Sequence, residues 1–77
     1  MFKNQNIIFQ TKNNISVKEI KEILNTFRNE NKTSLVMEYK YKNLIWYVNI
    51  TGNFEKKSYN DFISNLENVT ETILKIN

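Results

Sequence analysis

"LVMEYKYKNLIWYVNI", residues 35–50, puts four aromatic rings and two lysines into one alternating stretch. If Lys42-Asn43 is a two-residue turn, with Asn supplying the positive φ such turns require, the two arms form a hairpin. Tyr41 then faces Leu44, Tyr39 faces Trp46, Met37 faces Val48 and Leu35 faces Ile50, so every pair on that face is apolar or aromatic. The other face pairs Lys40 with Ile45, Glu38 with Tyr47 and Val36 with Asn49. Side chains alternate with a period of two, so a one-residue slip would exchange the faces. The rings at 39, 41 and 46 are therefore expected in the core, with Tyr47 outside it.

Helical signals flank the hairpin. "ISVKEIKEILNTFRNE" begins with Ser16 at an N-cap, Glu19 at the capping-box spacing, and Ile15 and Ile20 at the positions of a hydrophobic staple. Val17, Ile20, Ile23, Leu24 and Phe27 fall within an arc of about 120°, which predicts a helix with one buried stripe. "KSYNDFISNLENVTETILKIN" repeats the pattern, with Ser58 as the expected N-cap and Asp61 three residues on. Tyr59, Phe62, Ile63, Leu66, Val69, Ile73, Leu74 and Ile76 share an arc of about 160°, so this helix is expected to run to the end of the chain. "NIIFQ", residues 6–10, reads as a short strand, and Gly52 as a positive-φ turn after the hairpin.

The order β-α-β-β-α implies one α+β domain over residues 1–77: a two-layer sandwich with both helices on one face of the sheet. The expected sheet has three mainly antiparallel strands in the order 1-3-2, a ferredoxin-like half without its fourth strand.

Seventy-seven residues are near the lower limit for unaided folding, and a core this size typically leaves about 3–5 kcal/mol of net stability. There is no cysteine for disulfides, and neither cysteine nor histidine for a structural zinc. The chain must rely on packing or on self-association. The N-terminal "MFKNQNIIFQ" has no continuous apolar run, and no stretch approaches the ~20 apolar residues of a membrane span, so a cytoplasmic protein without a membrane partner is expected.

The same omissions limit the chemistry. Without His or Cys, the commonest general base, the commonest metal ligand and the softest nucleophile are missing. One glycine cannot build a phosphate-cradling loop. Glu38 and Glu55 are the carboxylates a paired acid–base mechanism would use, but so small a domain has little room for a cleft between them. The expectation is a protein that is not an enzyme and needs no cofactor or metal.

Two surfaces are candidates for binding. On the sheet face away from the helices, Ile8, Val36, Ile45 and Tyr47 would form an apolar band rimmed by polar residues, suited to a protein partner or to a second copy of the chain. The net charge is +3, but residues 1–57 carry ten basic and five acidic side chains, a local +5. Lys18, Lys21, Arg28 and Lys32 on the first helix, with Lys40 and Lys42 near the hairpin turn, are candidate nucleic-acid contacts. An RNA-stacking sheet is disfavoured, because it needs two or three exposed rings and "KNLIWYV" exposes only Tyr47, opposite Glu38. The leading expectation is a small protein-binding module. Its most concrete form, suggested by the Asn-, Lys- and Ile-rich composition, is a phage or mobile-element inhibitor of a host defence or regulatory protein, of the anti-CRISPR kind. A small nucleic-acid-binding module is the alternative.

Overall fold

The structure, a computed structural model, describes residues 4–31 and 34–76. Its elements are β1 (Asn4–Thr11), α1 (Val17–Glu30), β2 (Leu35–Lys42), β3 (Ile45–Gly52), α2 (Lys56–Val69) and β4 (Thr70–Ile76). The chain is an α+β fold with two helices against a four-strand antiparallel sheet of order β2-β3-β1-β4. The expected β1-β3-β2 adjacency lies within this larger order, and the fourth strand completes the ferredoxin-like split β-α-β arrangement.

That fourth strand overturns the expectation of a helix through Ile76. α2 ends at Val69, and the chain enters β4 directly, with Thr70 already extended at φ −101° and ψ 133°. Val69, Thr70, Thr72, Ile73 and Ile76 are all β-branched, which suits a pleated surface better than a helix. The apolar spacing fits both periods because β4 carries two register irregularities; Ile73 and Ile76 reach Phe9 and Ile7 across a bulge. Lys12 makes the abrupt transition feasible. Its N–H donates to Val69 O at 3.3 Å and its ammonium to Asn68 O at 3.4 Å, so a cation meets the carbonyl end of α2.

α2 also begins earlier than expected, at Lys56, after Glu55, which makes no side-chain cap. Ser58 is therefore inside the helix rather than capping it. Its hydroxyl donates to Glu30 Oε1 at 2.8 Å and accepts from Asn31 Nδ2 at 2.9 Å, tying the start of α2 to the end of α1. The buried Asn31 side chain also donates to Phe27 O at 3.1 Å and accepts from Glu55 N–H at 3.4 Å. At the other end of α1 the expected cap is present, with Glu19 N–H donating to Ser16 Oγ at 3.2 Å.

The hairpin keeps the expected faces but not the expected register. The turn is Asn43-Leu44, both at positive φ (53° and 70°), so Tyr41 pairs with Trp46, Tyr39 with Val48 and Met37 with Ile50. A shift of two residues leaves every side chain on its own face while changing its partner. Leu44 O accepts from both Thr11 N–H (2.9 Å) and Thr11 Oγ1 (3.4 Å), which anchors the turn to the end of β1. On the core side Trp46 is buried, with the Tyr41 ring stacked on it at 4.5 Å and Phe9 parallel to it at 6.2 Å. Tyr39 is half-buried and Tyr41 remains 47% exposed, so the rings at 39 and 41 border the core rather than fill it. Phe27 of α1 packs between Phe62 (4.6 Å) and Phe54 (5.5 Å), joining the helices. All the buried apolar residues belong to one cluster between the helices and the sheet.

Two backbone positions give opposite predictions. Leu44 holds a left-handed conformation that penalises a β-carbon, so Leu44→Gly should raise stability by about 1 kcal/mol, read as a higher urea midpoint at unchanged slope. Gly52 sits at φ 122°, and a β-carbon there would lie 2.4 Å from Ser34 O and 2.8 Å from Leu35 Cα. Gly52→Ala should therefore cost about 2 kcal/mol or more in the same measurement. Asn31→Ala removes three hydrogen bonds from a buried junction, and at about 1 kcal/mol each the expected loss is about 2–3 kcal/mol. A loss under 0.5 kcal/mol would show that the helix ends hold together without it.

Candidate binding face

Both helices cover the same side of the sheet, and among the described residues no second layer covers the opposite side. On β1, Gln5, Ile7, Phe9 and Thr11 point inward and are buried, so Asn4, Asn6, Ile8 and Gln10 line the open face. The strand registers arrange that face in rows. One row runs Lys40, Tyr47, Ile8, Lys75 across all four strands, as three consecutive cross-strand pairs. The adjoining rows are Glu38, Asn49, Asn6 on one side and Lys42, Ile45, Gln10, Thr72 on the other. Glu38, Lys40, Tyr47, Asn49, Asn6 and Lys75 border a shallow depression of about 520 Å³ centred on the first row.

The register decides the chemistry of that row. With the turn at Asn43-Leu44, Tyr47 faces Lys40 and not Glu38, and the Lys40 ammonium lies 5.6 Å from the centre of the Tyr47 ring. This is cation–π range, an attraction of about 0.5–1 kcal/mol between exposed groups. Tyr47 is 41% exposed, and Ile8 and Ile45 beside it are half-buried. The apolar band expected from the sequence thus holds together at Ile8, Ile45 and Tyr47. Val36, 63% exposed, is not part of it: the shifted register places it opposite Thr51, two rows from Tyr47.

The candidate basic residues divide between the two layers. Lys40 and Lys42 alternate with the inward-facing residues of β2 and lie on the open face. Lys18 and Lys21 are exposed on α1, in the helical layer on the other side of the molecule. Arg28 is half-buried, and its guanidinium donates to Asn25 Oδ1 at 2.8 Å. Lys32 lies outside the described residues. The helix and hairpin cations therefore do not form one patch.

Lys75 is the residue the sequence reading missed, because a helix through Ile76 would place it on a helical flank. The signal for it was the β-branched set Val69, Thr70, Thr72 and Ile73. As a strand residue, Lys75 pairs with Ile8 and gives the open face a cation on its β4 side to match Lys40 on β2. Lys40, Lys42 and Lys75 stand on the face with Glu38 and with the exposed Glu71 at the β4 bulge beside Thr72, and the amides of Asn6, Asn49 and Gln10 lie on the central strands. Among the described residues, no group of three or more His, Cys, Asp or Glu side chains is placed to hold a metal ion, and no helix is long and apolar enough to cross a membrane. In comparisons with family models, curated proteins and solved structures, nothing matches this chain.

Proposed function

We propose that this chain is a small binding protein, not an enzyme, and that its contact surface is the helix-free face of the sheet. The observation that carries the proposal is the transverse row Lys40-Tyr47-Ile8-Lys75, which sets an exposed ring and an aliphatic side chain between two cations. Tyr is over-represented where partners contribute most to binding, since its ring offers a large, stiff contact area with a polar end. The lack of His and Cys anywhere in the sequence supports a role without catalysis.

The charge of the face selects an anionic partner surface, because like charges brought together across an interface cost affinity and opposite charges speed encounter. The inhibitor expected from the sequence, one that occupies a host protein, would use this same face and would need an acidic target.

Photo-crosslinking tests the reading. A benzophenone-bearing residue placed at Tyr47 should give a discrete adduct in cells that carry the gene. The same group at Lys21, on the helical layer, should give none. Adducts from position 21 without adducts from 47 would move the contact surface to the helices.

A further inference from the structure

We infer that the occupant of the open sheet face is single-stranded nucleic acid, with a base stacked on Tyr47 and phosphates held by Lys40, Lys42 and Lys75. This rests on the binding-face reading above and specifies its partner.

Three features of the face favour a polyanion with flat bases over a protein. First, its cations stand on the outer strands β2 and β4, while the ring and Ile8 stand on the central strands β3 and β1. A backbone crossing the sheet would meet a lysine on either side of the stacking surface, the combination of charged track and aromatic platform that holds single strands. Second, the polar residues of the central strands beside Tyr47 and Ile8 are mostly amides. Asn6, Asn49 and Gln10 each present both a donor and an acceptor, able to meet the edges of whichever base is present. Third, lysine is depleted at the centres of protein–protein interfaces, whereas this face has it on both sides of the ring, and the most exposed aliphatic side chains, Val36 and Leu74, stand on the outer strands away from Tyr47.

The shape of the face selects a single strand over a duplex. Four strands about 4.8 Å apart put β2 and β4 roughly 14 Å from each other before side chains are added. The major groove is about 12 Å wide and admits one helix or a two-stranded ribbon, so this sheet cannot enter it. A base can lie on the Tyr47 ring only when it is not paired and stacked in a helix. One exposed ring is fewer than the two or three of a base-reading RNA sheet, so the site stacks a single base, reads no particular sequence and relies on its lysines for affinity. Lys40 already lies over that ring, and its flexible side chain turns to a phosphate when a base takes its place.

The test is fluorescence anisotropy of the full chain with labelled ten-nucleotide DNA and RNA single strands, and with the matching duplex, from 50 to 200 mM salt. Three phosphate contacts at a slope of about −0.7 each predict roughly twentyfold weakening over that range. Tyr47→Ala should weaken binding about tenfold or more, whereas Tyr47→Phe should keep it, because stacking needs the ring and not the hydroxyl. Lys40→Gln and Lys75→Gln should each make the salt slope shallower by about 0.7. Urea denaturation of each variant separates loss of binding from loss of fold.

Absence of single-strand binding at 50 mM salt would overturn the inference. So would binding that survives Tyr47→Ala with an unchanged slope, or binding lost through Lys18→Glu with Lys21→Glu while the sheet-face variants retain it. An adduct at position 47 that resists nuclease and yields to protease would also overturn it and identify a protein partner, leaving the open face as the contact surface. No adduct from position 47 at all would remove both readings.

Discussion

The positive-φ turn at Asn43-Leu44 is the constraint on which the rest of the sheet depends. It places a leucine where a β-carbon is unfavourable, at a cost of about 1–2 kcal/mol. The return is a register that stacks Tyr41 on Trp46 over the core and sets Lys40 beside Tyr47 on the open face. Turning the chain there also brings the Leu44 carbonyl to Thr11, fixing the end of β1 against the hairpin. β1 then pairs with β3 without a shift from Asn4 to Gln10. One turn thus determines which residues of three strands share a row.

The fourth strand follows from what the hairpin leaves unpaired. With β3 on one side, β1 would expose its other edge, a row of backbone donors and acceptors open to unwanted pairing. β4 closes that edge, and the sheet ends instead at β2, which carries Lys40 and Lys42, and at the bulged β4, both of which discourage further strands. Lys12 permits this closure by occupying the last carbonyls of α2, so that the chain passes from helix to strand without a glycine. The same β1–β4 pairing brings Lys75 next to Ile8, so closing the edge and charging the open face are one structural event.

These dependencies explain what could be read from the residues. The start of α1 was legible because Ser16, Glu19 and the apolar stripe act within one stretch of chain. The two faces of the hairpin were legible because alternation specifies a face. Alternation does not distinguish registers two residues apart, so the partners of Tyr47 and Tyr41 depended on Leu44 tolerating positive φ and on Thr11, 33 residues away, bonding to it. The start of α2 was misread because Ser58 resembles a cap locally, while its actual partners are Glu30 and Asn31 at the end of the other helix. The end of α2 was misread because bulges let Ile73 and Ile76 fit a helical period inside a strand. Of the proposed binding face, Tyr47, Ile8, Ile45, Lys40 and Lys42 were visible in advance, and Lys75 depended on tertiary pairing.

A two-layer domain this small must leave one sheet face in water, and that need alone accounts for amides and lysines there. It does not account for Tyr47. A central-strand position open to solvent is satisfied by threonine, as at Thr51 on the same strand and face, which is β-branched and polar. Tyr47 instead leaves 41% of its surface in water at the middle of a row that ends in lysine on either side. The Lys40 contact supplies at most about 1 kcal/mol towards keeping the ring there. Lys75 has no such contact with the ring to justify its place, since Ile8 stands between them. A second cation on the far side of the aliphatic residue is what the proposed single-strand site calls for, with charge on both sides of the stacking surface.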